Sequence, residues 1–472
     1  MATRPFIFLL AAALPLSACA VGPDYHPRGA TELGLPTAYS VPAEQGAAED
    51  ITHWWVKFDD PMLAQLVEQG RAANLDIAQA VTRLRQARES LVQSRASLFP
   101  TIGASAGASR NQGITGGGGT LNGNSFSIGA DASYQVDLFG GNRRGVEASG
   151  AAYEAAGFDY AAVLISVQAE IARNYVLARL AQTQLANARE SLAIQDDNLQ
   201  IAGWRVQAGL VSSIDAEQAR SARAQTAASI PSIEANYNSF VSRLGVLTGQ
   251  APGALKAQME GRKPIPVGPS SVAAGIPAET LRQRPDVRSA ERNLAAATAR
   301  IGVAQAQLYP ALSIGGSLDS GGGAIGTLFD AISGRLFANI ATTIFDGGRL
   351  RSQVRGSEAA AEGAFLAYKQ TVLTGLEDVE NAIVALSAAQ ERSRQFAIAF
   401  DAANNTAILA RMQYRSGLTD FTTLNQAESA LLSARNGQAQ AQADQATALI
   451  ALYLALGGGW DSNSTPEAPN GN

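Results

Sequence analysis

Two histidines, His26 and His53, and one cysteine, Cys19, are the only imidazole and thiol groups in this 472-residue chain. Both histidines fall in the N-terminal arm. A metal centre built on imidazole or thiolate needs three or four such ligands converging, and a histidine relay needs a nucleophile and an orienting partner, so neither is expected. The glycine runs Gly116–Gly119 and Gly321–Gly323 lie between alternating segments, where they read as hairpin loops. They do not occupy the strand-to-helix turns that cradle phosphates, which argues against nucleotide binding. No catalytic residue, metal or cofactor is therefore expected, and the chain is not read as an enzyme. A lone cysteine cannot close an intrachain disulfide. The chemistry that remains is modification of the Cys19 thiol.

The residues around Cys19 suit that chemistry. Residues 1–18 read as a secretory signal peptide, with Arg4 at its positive end and an apolar run from Phe6 to Leu16. That run is short for a bilayer span. Leu16-Ser17-Ala18-Cys19 resembles a bacterial lipobox, which implies a covalent lipid on Cys19 as the first mature residue, followed by a lipidated arm over 19–60. Acyl chains contribute about 0.8 kcal/mol per buried methylene, enough for stable anchoring when more than one is attached. Ala20, where an aspartate would retain such a lipoprotein at the inner membrane, points to passage onward to the outer membrane. The formal charge is −5 and charged residues make up 16%, with no basic patch interleaved with aromatics, so nucleic acid is not an expected partner. The mature chain has no apolar run of about 20 residues, so any entry into a membrane must use strands.

The chain is duplicated. Leu98-Phe99-Pro100 recurs as Leu308-Tyr309-Pro310, and Leu138-Phe139-Gly140-Gly141-Asn142-Arg143 as Ile344-Phe345-Asp346-Gly347-Gly348-Arg349. Ala208-Gly209-Leu210 recurs as Ser416-Gly417-Leu418, and Leu247-Thr248-Gly249 as Ala455-Leu456-Gly457, always at about 208 residues' distance. Preserved order with divergent filling is the mark of a duplicated structural unit. We place the first repeat at 61–249 and the second at 286–457, joined by a proline-rich linker over 250–285 and followed by a tail over 458–472.

Each repeat should hold two strands and two long helices. Ser125 to Phe139 alternates strictly, with Phe126, Ile128, Ala130, Ala132, Tyr134, Val136 and Leu138 on one side and polar residues on the other. Strands are expected at about 101–111 and 124–139, then at about 311–320 and 335–346. Four strands of roughly ten residues have the length of tilted membrane strands, but one chain falls short of the minimum of about eight that closes a barrel. Either the sheet is soluble, or two, three or four copies pool about 8, 12 or 16 strands. Helices are expected over 142–202, 213–248, 348–412 and 421–456. The first carries Leu164, Val167, Ile171, Asn174, Ala178, Ala181, Leu185, Ala188, Leu192, Gln195 and Leu199 at alternating steps of three and four, a coiled-coil stripe about 90 Å long. Ser213–Thr248, at about 54 Å, and Asp76–Phe99, at about 36 Å, together match that length. Pro100 and Pro310 stand where helices should give way to strands.

These features together resemble the outer-membrane factor (TolC-like) family, in its lipoprotein branch associated with resistance–nodulation–division (RND-type) efflux systems. The matching pieces are Cys19-Ala20-Val21-Gly22-Pro23-Asp24-Tyr25, Trp54-Trp55-Val56-Lys57-Phe58 before Asp60-Pro61, and Leu281-Arg282-Gln283-Arg284-Pro285-Asp286-Val287-Arg288-Ser289-Ala290-Glu291. The resemblance implies an α+β membrane protein: a homotrimer whose 12-stranded outer-membrane β-barrel continues into a 12-helix periplasmic α-barrel. It implies a passive exit duct for drugs, toxic organics or metal ions, lipid-anchored in the bacterial outer membrane and extending into the periplasm. The partners would be a periplasmic adaptor protein and an inner-membrane RND-type pump. A non-conducting periplasm-spanning lipoprotein and a duct for type I protein secretion are the competing readings.

Function should then concentrate at the far ends of the long helices. Gly209, Leu210, Gly417 and Leu418 form turns that become adaptor-docking tips under this resemblance. Arg205, Asp215, Asp401, Arg411, Tyr414, Arg415 and Asp420 are the candidates for a periplasmic gate, and Tyr414 stands where TolC-like gates carry a tyrosine. The chain departs from the pattern at Leu424-Asn425-Gln426-Ala427, where such proteins often place an aspartate after the second tip.

Overall fold

A computed structural model describes residues 20–42, 50–111 and 123–461; the signal segment, Cys19 and the glycine run at 116–119 lie outside the described residues. In chain order the elements are α1 Pro61–Ala73, α2 Leu75–Ala96, β1 Thr101–Asn111, β2 Gly123–Val136, α3 Gly141–Gln207 and α4 Ser213–Leu247. The short α5 Lys256–Met259 and α6 Pro277–Gln283 precede α7 Pro285–Ala306, β3 Ala311–Gly322, β4 Ile332–Ala341, α8 Arg349–Arg415 and α9 Phe421–Ala455. Helices α3 and α8 both have 67 residues, and α4 and α9 both have 35, so the duplication extends to element length. Contacts divide the chain into two compact units, the first drawn from 1–28, 83–156 and 289–369, the second from 29–82, 157–288 and 370–472. Each unit draws on both repeats, so the repeats are interleaved in space.

The first unit holds one antiparallel sheet in the order β1-β2-β3-β4. Its register puts like with like. Ala104 pairs with Ala130 and Ala130 with Leu318, while Tyr134 pairs with Ile314 and Ile314 with Ala338. One face therefore collects most of the apolar residues of the four strands, while Phe337 lies opposite Gly315 on the other. The other collects Ser105, Gly129, Asp319 and Ser333 in one row, and Gly103, Asp131, Ser317 and Arg335 in the next. The apolar face is bare: Ile102 is 80% exposed and Leu336 91%.

Strand β4 begins and ends earlier than the alternation suggested, closing at Ala341 and leaving Ile344 and Phe345 in the connection. Asp346 explains this. Its carboxylate accepts the amides of Gly348 (2.9 Å) and Leu350 (2.8 Å), and Gly347 and Gly348 take φ of +65° and +90°, so the chain turns to start α8. At the matching place Asp137 accepts the amides of Asn142 and Arg143, which ends β2 at Val136.

The second unit has the main apolar core. Trp54 stacks on Tyr453 at 5.4 Å, and Trp55, Leu63, Leu66, Ile171, Tyr175, Leu244 and Leu247 fill in around them, all essentially inaccessible. Helix α3 contains one 18-residue stretch that is apolar enough to cross a bilayer by length and composition, and that stretch is 61% buried within the chain, as expected of core. Arg284 ties the linker to this core. Its guanidinium donates to Asp286 (2.8 Å), to Asp378 on α8 (3.0 Å) and to the Ala455 carbonyl at the end of α9 (2.9 Å). Hydrogen bonds to charged groups contribute roughly 1.5–3 kcal/mol each when well buried. We expect Arg284→Met to lower stability by about 2 kcal/mol, within the range for losing such bonds at a partly exposed site. Denaturant unfolding of the detergent-extracted protein measures it, and an unchanged midpoint would remove Arg284 as the tie.

Candidate functional site at the hairpin tips

The turns joining α3 to α4 and α8 to α9 are built alike. Leu210 N donates to Arg205 O and Gly209 N to Val206 O, and Leu418 N donates to Gln413 O and Gly417 N to Tyr414 O. This paired pattern closes a helix on a residue of positive φ, and Gly209 and Gly417 supply it at +70° and +77°. The next helices start from side-chain caps: Ser212 accepts the amide of Ile214, and Asp420 that of Thr423 at 2.8 Å. Leu210 and Leu418 project into solvent, 70% and 79% exposed.

Behind the turns the gate candidates separate into different roles. Tyr414 is buried at 1% exposure, with its ring edge-on to Phe421 at 6.0 Å. Arg205 crosses from the other hairpin to lie over that ring at 4.8 Å and donates to the Tyr414 carbonyl at 3.3 Å. Burial pushes the Tyr414 hydroxyl pKa above its ordinary value. Arg411 forms a bidentate pair with Glu428 on α9 through Nε–Oε1 and Nη2–Oε2, and Glu428 is 5% exposed. Asp420 is occupied as the cap of α9, and the Thr423 amide holds its carboxyl below the usual carboxylate value. Asp215 lies in the first turn of α4. Asp215, Asp401 and Arg415 enter no ion pair among the described residues. The geometry thus joins Arg205 to Tyr414 and Arg411 to Glu428. Sequence reasoning missed Glu428, whose signal is a carboxylate inside the apolar stripe Leu424, Ala427 and Leu431.

At the other end of α3, the residues that follow Cys19 are fastened down. Val21 N donates to Phe139 O at 3.0 Å, and Arg144 donates to Val21 O, Gly22 O and Asp24, the last at 2.6 Å. Gly22, at φ +100°, packs where a Cβ would come 2.4 Å from Gly302 Cα. Among the described residues no three His, Cys, Asp or Glu side chains gather as a metal site.

The sequence profile of the family described as outer membrane efflux protein matches residues 66–250 and 276–458, one stretch per repeat. The chain belongs to that family. Among curated relatives, nodulation protein T of Rhizobium leguminosarum bv. trifolii is 32% identical over 97% of each chain. The pyoverdine export outer membrane protein OpmQ of Pseudomonas aeruginosa is 30% identical, over 96% of this chain and 97% of that one. The solved outer-membrane channel OprN is 34% identical with a TM-score of 0.85, over 94% of this chain and all of that one. The family role is that of an outer-membrane exit duct for efflux, and the fold is its β-barrel-plus-helical-barrel channel fold.

Breaking a paired buried charge costs more than replacing both partners with apolar groups. We therefore expect Glu428→Gln to destabilise by roughly 1–3 kcal/mol, the cost of an unsatisfied buried group, and Arg411→Met with Glu428→Leu to cost less than Arg411→Met or Glu428→Leu alone. Unfolding midpoints of these three single variants and the double decide it, and an additive double variant would contradict the pairing. The Asp420 cap has a pH signature. Its folded pKa is depressed, so its stabilisation is complete above the ordinary Asp value of 3.8 and is lost as pH falls through the lower folded value. The stability lead of wild type over Asp420→Ala should be flat from about pH 7 to 5 and shrink towards about pH 3; a lead that declines already near neutrality would refute the assignment. Removing Arg144 should release the arm, so that Arg144→Ala speeds tryptic cleavage at Arg28, read by N-terminal sequencing of the fragments.

Proposed function

We propose that three copies of this chain assemble one tube, a 12-stranded barrel in the outer membrane continued by 12 helices in the periplasm, through which small molecules leave passively. The observation that carries this reading is the sheet: among the described residues, four strands, an exposed apolar face, a polar face, and two unpaired edges. Such a sheet can rest in hydrocarbon only when its edges are closed. Pyoverdine export, in the name of one relative, fits cargo of small-molecule size. A periplasmic adaptor would dock at the tips through Gly209, Leu210, Gly417 and Leu418, and an RND-type inner-membrane pump would feed the tube. Cys19 carries the lipid, and the pinning of Val21 and Gly22 beside the β2–α3 joint supports an anchor at that level.

The closed state rests on the Arg205–Tyr414 link between the two hairpins, with Asp215, Asp401, Arg411, Arg415 and Asp420 in the surrounding charge pattern. Purified protein reconstituted in planar bilayers tests the whole reading. We expect rare, small openings for wild type and at least a tenfold rise in open probability for Arg205→Ala with Tyr414→Ala, the loss of about 1.4 kcal/mol or more of closing energy. A detergent-extracted protein that is monomeric by mass, and silent in every variant, would overturn it.

A further inference from the structure

The duplication supplies a template for how copies join. Inside the chain the two repeats meet between β2 and β3, and just below that ladder Phe139 stacks on Tyr309 with ring centroids 4.6 Å apart and 18° between planes. The repeat equates Phe139 with Phe345 and Tyr309 with Phe99. Among the described residues those two rings have no such counterpart: Phe345 is 90% exposed, its neighbour Ile344 95%, and Phe99 68%. They lie below the two free edges, Phe99 before β1 and Phe345 after β4.

Resting on the assembly reading above, we propose that β4 of one copy pairs with β1 of the next in the register β2 and β3 already use, locked by Phe345 stacked on the next copy's Phe99. Tyr134 opposite Ile314 and Ala132 opposite Gly316 then become Ile340 opposite the next copy's Ala104 and Ala338 opposite its Ala106. The apolar face stays continuous across the joint. A second observation favours the same register. Phe337 already lies over Gly315 on β3, where an added Cβ would come 2.5 Å from its ring. The proposed pairing sets Phe337 opposite Gly107, so glycine flanks the ring on both sides. A slip of two residues either way would put Ser105 or Ser109 there, with a side chain in the ring's space.

Paired cysteines test the register in the full-length protein. Ala104→Cys is combined in turn with Ala338→Cys, Ile340→Cys and Thr342→Cys, with single variants controlling for Cys19. Oxidation in outer-membrane vesicles should give covalent trimers on non-reducing gels with Ile340→Cys, several-fold more than with the other two. Preferential linkage at 338 or 342, or equal linkage at all three, overturns the register while leaving trimeric assembly intact. Monomeric mass in detergent, with no linkage at any position, overturns the assembly reading itself. Phe99→Ala and Phe345→Ala test the stack: their losses in trimer dissociation temperature should be less than additive when combined, and strict additivity in intact trimers refutes the contact.

Discussion

Hydrocarbon offers no partner for a backbone amide, and every unpaired one there costs several kcal/mol. That constraint governs how the sheet of this chain can be used. Four strands in the order β1-β2-β3-β4 satisfy the inner ladders and leave the outer sides of β1 and β4 open. In water such edges invite promiscuous pairing. In a membrane they demand closure, and with an apolar face on the same sheet the demand can be met only by more copies of it. On the polar face glycine stands where a neighbouring strand's side chain lies across it, Gly103 beneath Asp131 and Gly315 beneath Phe337.

The helical part is governed by how helices end. The same glycine-terminated pattern closes α3, α4, α8 and α9, at Gly209, Gly249, Gly417 and Gly457. Two of these closures form the tips, where the glycines meet little. The other two are crowded: a Cβ at Gly249 would fall 2.3 Å from the Ala73 carbonyl oxygen, and one at Gly457 would fall 3.1 Å from Arg284 Cα. One local motif thus serves at the tips as an exposed turn and at the opposite helix ends as a packing joint. The duplication multiplied a motif, and its surroundings then diverged.

What could be read from the sequence was whatever depends on near neighbours. Strand faces follow from alternation, and helix ends from Pro100, Pro310 and the glycine turns, since those residues act on their own backbone. The N-terminal aspartates were harder. Asp137 reads as one more residue on the wet side of a strand and Asp420 as a free gate charge, yet both accept helix amides, a role fixed by where the helix starts. Glu428 was invisible as a partner because a carboxylate in an apolar stripe looks like an interruption until Arg411 is seen across from it. Arg205 over Tyr414 joins residues 209 apart in sequence, a separation the tip motifs brought to attention without specifying the contact. The interleaving of the two repeats is a tertiary fact with no local signature.

The fastening of the arm by Arg144 also limits what a lipid at Cys19 can do. Ala20 lies against the Gly140 turn, and one peptide unit spans about 3.8 Å, so a lipid on the residue before it would start close to that turn. With Cys19 acylated, its fatty chains would enter the leaflet beside the sheet of their own subunit and remain there as non-exchanging boundary lipid. Such an anchor would act less as a mooring rope than as a built-in collar at the level where the sheet gives way to α3.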